Sequence, residues 1–195
     1  MTPVHPIETE SYRILAERVD LSTYGPLAAA VVARVIHASA DLEYAATMVV
    51  DDDAVQAGVA ALAGGAPIVV DVEMVRHGVT GVSPECFLPA TAAQGTTRSA
   101  AGIALAAEHH PGGAVVVIGC APTALEEVVR LHEAGRFSPA VVIGLPVGFV
   151  GAAESKERLR ASGLPAISNV GEKGGSAVAA AATNAMIRLA KDRRG

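Results

Sequence analysis

The chain has 195 residues, 51% of them hydrophobic, 18% charged and 3% aromatic. Fifteen basic against twenty acidic side chains give a net charge of −5, and with three Tyr, three Phe and no Trp there is neither a basic surface nor a stacking platform for nucleic acid. This length is enough for one compact domain spanning 1–195, burying roughly 70% of the surface that the unfolded chain exposes, and the hydrophobic content excludes disorder.

A membrane span is excluded on sequence grounds. Residues 109–125 and 137–153 each lack Asp, Glu, Lys and Arg, but Pro111, Gly112 and Gly113 interrupt the first, and Pro139, Gly144, Pro146 and Gly148 the second. Neither offers the ~20 continuous apolar residues that a span needs. The start, MTPVHPIETE, places Glu8 and Glu10 where a secretory leader would be basic and then apolar. Cys86 and Cys120 are too few for a disulfide framework and lack metal-type spacing. A soluble, cytoplasmic protein is the expectation.

In chain order, Leu27–Ala40 reads as a helix, and the DDD run at 51–53 caps a second helix over Ala54–Ala63. A metal site in that run is the weaker reading. Three adjacent carboxylates cannot converge from one turn, whereas a helix N-terminus stabilises them without a metal. Val- and Ile-rich strands follow at Ala66–Val72, Ala114–Gly119, Ala140–Gly144 and Leu164–Val170. Between them, Thr123 and Glu126 read as a capping box opening a helix that stops at Gly135, and Ala153–Ser162 reads as another helix. The last helix, Ser176–Lys191, has an Ala-rich face and a basic KDRR end. Short apolar strands alternating with helices predict an α/β fold: a single domain with a mainly parallel sheet flanked by helices on both faces, packed closely enough to favour the 39 Ala.

Ligands of such sheets bind outside the carboxyl ends of the strands. The loops there read DVEMVRHGVTG, GCAPTALEE, GLPVGFVGAAESK and GEKGGSA, which are rich in Gly and Pro and suited to binding anions through backbone N–H groups. No GxGxxG, GxxxxGK[ST], HExxH or GxSxG pattern is present, so nucleotide, metal and Ser-nucleophile chemistry have no motif. Among the six histidines, His77 follows a strand end. His37 ends an apolar helix between Arg34 and Asp41, each one turn away. An acid/base role and a helix-terminal His facing the dipole both fit that pattern.

Several segments together resemble the precorrin-8X methylmutase (cobalt-precorrin-8 methylmutase) family. They are IETESYRIL at 7–15, RVIHA at 34–38, GAPIVVDVEMVRHGVT at 65–80, GTTRSAAGIAL at 95–105, VVVIGCAPTAL at 115–125, IGLPVGFVGAAESKERL at 143–159 and GGSAVAAAATNA at 174–185. The resemblance implies a parallel α/β fold and a homodimer with sites near the subunit interface. It implies a cofactor-free shift of a methyl group between adjacent ring C carbons of a corrin precursor, a tetrapyrrole, giving hydrogenobyrinic acid or its cobalt analogue. It assigns His37 as the catalytic acid and base and Ser11 as a substrate contact. The substrate is a polycarboxylate, which gives Arg34, Arg98 and the N–H groups of Gly174, Gly175 and Ser176 a task. Cys120 and Thr96 stand where the family commonly has Asn, and Glu172 where it is often basic. The readings from other classes are a non-catalytic corrinoid carrier and a nucleotide-dependent enzyme.

Overall fold

The computed structural model describes residues 5–193; the first four residues of the MTPVHPIETE start and Arg194 of the KDRR end lie outside them. The elements run α1 (Pro6–Arg18), α2 (Pro26–Ser39), α3 (Tyr44–Thr47), β1 (Met48–Val49), α4 (Asp52–Ala63), β2 (Ile68–Val70), α5 (Glu73–Gly78), β3 (Glu85–Cys86), α6 (Arg98–His109), β4 (Val115–Ile118), α7 (Pro122–Glu133), β5 (Val141–Gly144), α8 (Ala152–Ala161), β6 (Ala166–Asn169) and α9 (Ser176–Asp192). One six-stranded sheet has the order β1-β6-β5-β4-β2-β3. Its pairings are parallel except at the edge, where β1 runs antiparallel to β6.

Strand alternation sends side chains to two cores. Ile68, Val70, Val115, Val117, Val141, Ile143 and Ile167 point into one core with residues of α1, α2, α4, α5 and α9. Val69, Val116, Ile118 and Val142 point into the other, with α6, α7 and Leu159 of α8. Burial on both faces is why the strands read as unbroken Val/Ile runs rather than alternating ones. The expected α/β architecture is the one observed.

The small residues have a packing role. In α9 Ala179, Ala180, Ala181, Ala182 and Ala185 are all buried, and glycines on neighbouring segments take up the close approach. A Cβ at Gly78 would lie 2.7 Å from Ala180 Cβ, and one at Gly119 would lie 2.8 Å from Ala179 Cβ.

The DDD run is a capping device twice over. The Asp51 side chain accepts from Ala54 N–H at 2.7 Å at the start of α4. Asp52 turns to a different helix and accepts from Ala28 N–H at 2.8 Å in the first turn of α2. The capping box at Thr123 does not form. Ala121 is the N-cap of α7 and Pro122 takes its first turn, so Thr123 lies inside the helix, where its hydroxyl bonds the Thr97 hydroxyl at 2.8 Å.

Candidate functional site

The carboxyl ends of β2, β4, β5 and β6 open into four loops, and each runs directly into a helix: α5, α7, α8 and α9. Between β2 and β4 the chain order reverses, because β3 lies on one side of β2 and β4 on the other. In a parallel sheet that reversal is where a ligand-binding crevice opens. Here it is filled from within. The Asp71 carboxylate, 2% exposed, accepts N–H bonds from Gly119 at 3.1 Å and from Cys120 and Ala121 at 2.9 Å each. Burial pushes this carboxyl up while the three amide donors pull it down, burial prevailing. The anion-friendly N-terminus of α7 that the sequence offered is thus occupied by the protein's own carboxylate.

The loops after β5 and β6 are joined to each other. Gly175 N–H donates to Leu145 O at 2.8 Å, and Gly148 N–H to Glu172 O at 3.2 Å. A Cβ on Gly174 would lie 2.3 Å from Pro146 O and 2.4 Å from Leu145 O, so only glycine fits at this crossing. Gly175 has φ +126°, a conformation that side chains rarely adopt. Because the Gly175 N–H is committed to Leu145, it is not free for a ligand, which narrows the expected set of backbone donors to those of Gly174 and Ser176. Lys173 reaches from the same loop to pair with Asp41 at 2.6 Å and with Glu43, which fastens the loop to the segment just beyond α2.

His37 sits in the last turn of α2, half-buried. Its Nδ1 and the Ser11 Oγ are 2.7 Å apart, and the Tyr12 ring stacks on it at 4.9 Å between centroids and 12° between planes. Adjacent residues of α1 thus hold the ring by its edge and by its face. Among the described residues, Nε2 has no hydrogen-bond partner, so that nitrogen is the one that can exchange a proton with a ligand. A groove of about 470 Å³ lined by Pro6, Ile7, Glu10, Ser11 and Ile14 opens on the Ser11 side of this contact.

The flanking charges behave differently from the linear pattern. Arg34 pairs with Glu8 at 3.2 Å, a carboxylate that Arg188 also approaches at 3.5 Å, and Asp41 pairs with Lys173. Both are drawn into ion pairs across segments instead of bracketing the imidazole, because helical spacing fixes which face a residue shares but not which partner arrives from elsewhere. Arg98 stands at the first turn of α6, exposed, with its Nε donating to Pro89 O at 2.7 Å. The Thr97–Thr123 hydroxyl bond sets that turn against the start of α7, so Arg98 borders the carboxyl edge without contacting His37 or Arg34. Ser176, 9% exposed, opens α9. His77 lies on α5 with its side chain 78% exposed, 3.7 Å from Glu73.

Sequence reasoning missed Lys156. This side chain is 0% exposed, and its Nζ donates to Lys173 O at 2.7 Å, Asn169 Oδ1 at 3.0 Å and Pro146 O at 3.3 Å. In a segment reading ESKER it looks like an ordinary surface charge. The one available signal was that α8 has few apolar positions of its own, so some of its inward face had to be polar. A cleft of about 510 Å³ lined by Val49, Asp51, Asp53, Arg160 and Pro165 lies at the amino end of β6. Among the described residues, no cluster of three or more His, Cys, Asp or Glu could hold a metal.

These features define a class of protein: a parallel-sheet α/β chain with glycine loops at its strand ends and one imidazole held from two sides. The sequence matches the precorrin-8X methylmutase family over residues 6–189, and the chain belongs to that family. It is 42% identical to the precorrin-8X methylmutase of a Sinorhizobium species over 93% of both chains. It is 41% identical to the cobalt-precorrin-8 methylmutase of Methanothermobacter thermautotrophicus over 97% of this chain and 95% of that one. The solved structure of precorrin-8X methylmutase from Thermus thermophilus superposes with a TM-score of 0.88 at 40% identity, covering 96% of each chain.

Proposed function

We propose that this chain is a corrin-ring methylmutase, an isomerase that moves a methyl group between adjacent ring C carbons of precorrin-8X or its cobalt form, with His37 as the acid and base. The class of activity follows from membership of the family. The observation that carries the mechanism is the His37 ring, fixed at Nδ1 by Ser11 and on its face by Tyr12, with Nε2 left for exchange. An intramolecular shift has no leaving group, so it needs neither a nucleophile nor an external group acceptor. What it needs is a proton delivered to the macrocycle to draw electron density toward the migration terminus, and recovered afterwards, plus a pocket that fixes the ring.

The substrate contacts are proposed on the same footing. Arg34 and Arg98 offer guanidinium groups to the carboxylate rim, and the N–H groups at Gly174 and Ser176 offer backbone donors at the start of α9. Ser11 both orients His37 and borders the groove along α1.

Residues 1–195 act as one methylmutase domain in this reading, and the protein works as a homodimer. Supporting the dimer are large apolar side chains left in solvent on the segments that carry the site: Ile7 at 72% exposure, Phe149 at 92% and Val150 at 87%. The cytoplasmic location is supported by the free thiols of Cys86 and Cys120, which suit a reducing compartment. Among the described residues no helix is long and apolar enough to cross a membrane. The carrier reading predicts binding without conversion. Adding purified protein to precorrin-8X separates the two: a change in the visible spectrum to that of hydrogenobyrinic acid supports the mutase, and an unchanged absorbing species under tight binding supports the carrier.

A further inference from the structure

A lysine buried at 0% exposure among neutral acceptors needs a reason. An ammonium taken out of water is costly unless its charge is paired and its donors are used. Lys156 uses all three donors, on Pro146 O, Asn169 Oδ1 and Lys173 O. Among the described residues it forms no ion pair with a carboxylate. Asn169 closes the network, its Nδ2 donating to Lys173 O at 2.9 Å and Val170 O at 3.2 Å, which turns its Oδ1 toward the ammonium. A neutral amine has only two N–H groups to offer the three acceptors. The three acceptors therefore favour the charged form against the burial that opposes it, and they belong to the two glycine loops and the strand end between them.

We propose that Lys156 is a positioning residue for the substrate: its ammonium ties the 145–151 and 170–175 loops into one rigid rim and leaves there a positive charge that the substrate's carboxylates complete. This rests on the methylmutase reading of the site. The tie lies at the tightest point of the rim, where Gly174 crosses Pro146 and Leu145 at distances that exclude a Cβ. Glu172 acts on the ammonium only through space, without pairing with it, and the substrate's carboxylates add to that field. That also accounts for Glu172 being tolerated on this loop: the loop's attraction for anions comes from beneath, not from its own side chains.

The charge is also titratable within an accessible range. Burial first, and then the Arg160 guanidinium on the same helix, lower Lys156 to about 8, with Glu172 acting in the opposite direction. Residues 145–151 carry no titratable side chain, and the Lys173 ammonium is turned away to Asp41 and Glu43.

The test compares wild type with Lys156→Met and Asn169→Asp, using conversion of precorrin-8X followed spectroscopically across pH 6.5–9.5. The wild-type KM is expected to hold steady and then rise above about pH 8, as the ammonium loses its proton. Lys156→Met should raise KM by about tenfold with kcat little changed, and should remove that rise. Asn169→Asp places a carboxylate beside the ammonium and should move the rise to higher pH. If Lys156→Met does not fold, Asn169→Asp alone decides. An active wild type whose pH limb is unmoved in either folded variant overturns the inference and leaves a structural role only. A wild type that does not convert precorrin-8X overturns the methylmutase reading instead.

Discussion

Replacing Asp71 tests whether the crevice between β2 and β4 is closed by the protein's own carboxylate. Asp71→Ala orphans three amide donors at the start of α7, those of Gly119, Cys120 and Ala121. At about 1.5 kcal/mol for each donor left without its partner, the loss comes to about 4.5 kcal/mol, a large share of the 5–15 kcal/mol typical of a folded domain. Asp71→Asn is gentler. Its amide oxygen can replace the oxygen serving Cys120 and Ala121, but its NH2 then confronts the N–H of Gly119, so one bond is lost and the cost is about 1.5–2 kcal/mol. Urea denaturation of the three proteins at pH 7, with equal slopes, measures both differences. An Asp71→Ala protein within 1 kcal/mol of wild type, or an Asn variant as unstable as the Ala variant, would refute the reasoning.

Gly174→Ala forces a methyl group against two backbone carbonyls at 2.3 and 2.4 Å. Since backbone must move, it should cost about 2–3 kcal/mol and lower Tm by about 4–10 °C in a thermal melt. Ser11→Ala removes the bond to His37 Nδ1 and should lower kcat about tenfold with KM little changed; a raised KM with unchanged kcat would make Ser11 a substrate contact alone. Lys156, lowered to about 8 in the fold from 10.5, leaves the unfolded chain holding more protons between those values. Stability of wild type relative to Lys156→Met should therefore rise as pH climbs from 8 to 10.5, by at most about 3.4 kcal/mol. Chemical denaturation at pH 7.5 and 10 checks it, and a flat difference contradicts the buried charge.

The buried strands β2, β4 and β5 were legible because a strand covered on both faces has no polar alternation, leaving Val/Ile runs bounded by Gly and Pro, whereas β6, reading AISN, gives a fainter signal. The two-residue strands β1 and β3 were not, since tertiary pairing at a sheet edge makes them and no local pattern does. Helix α6 went unread although Thr97 caps it, its Oγ1 accepting from Ala100 N–H at 3.2 Å, and Ala100, Ile103, Ala106 and Ala107 form its buried stripe. A stripe made largely of Ala has too little hydrophobic contrast to stand out. At the site, the glycine-rich loops at the strand ends were readable from the sequence and the resemblance singled out His37, but the crossing of the loops after β5 and β6 was not. The fates of Arg34 and Asp41 were not, because Glu8 and Lys173, 26 and 132 residues away in sequence, capture them. Asp71 and Lys156 were hidden for a related reason: burial of a charge depends on backbone partners that only the fold assembles.

The measurement that bears most directly on the central claim is the visible spectrum of precorrin-8X incubated with the wild-type protein and with His37→Ala. Conversion to the hydrogenobyrinic acid spectrum by the wild type, and none by a variant whose melting curve shows it folded, is the predicted result. A folded His37→Ala protein that converts precorrin-8X at the wild-type rate would contradict the account.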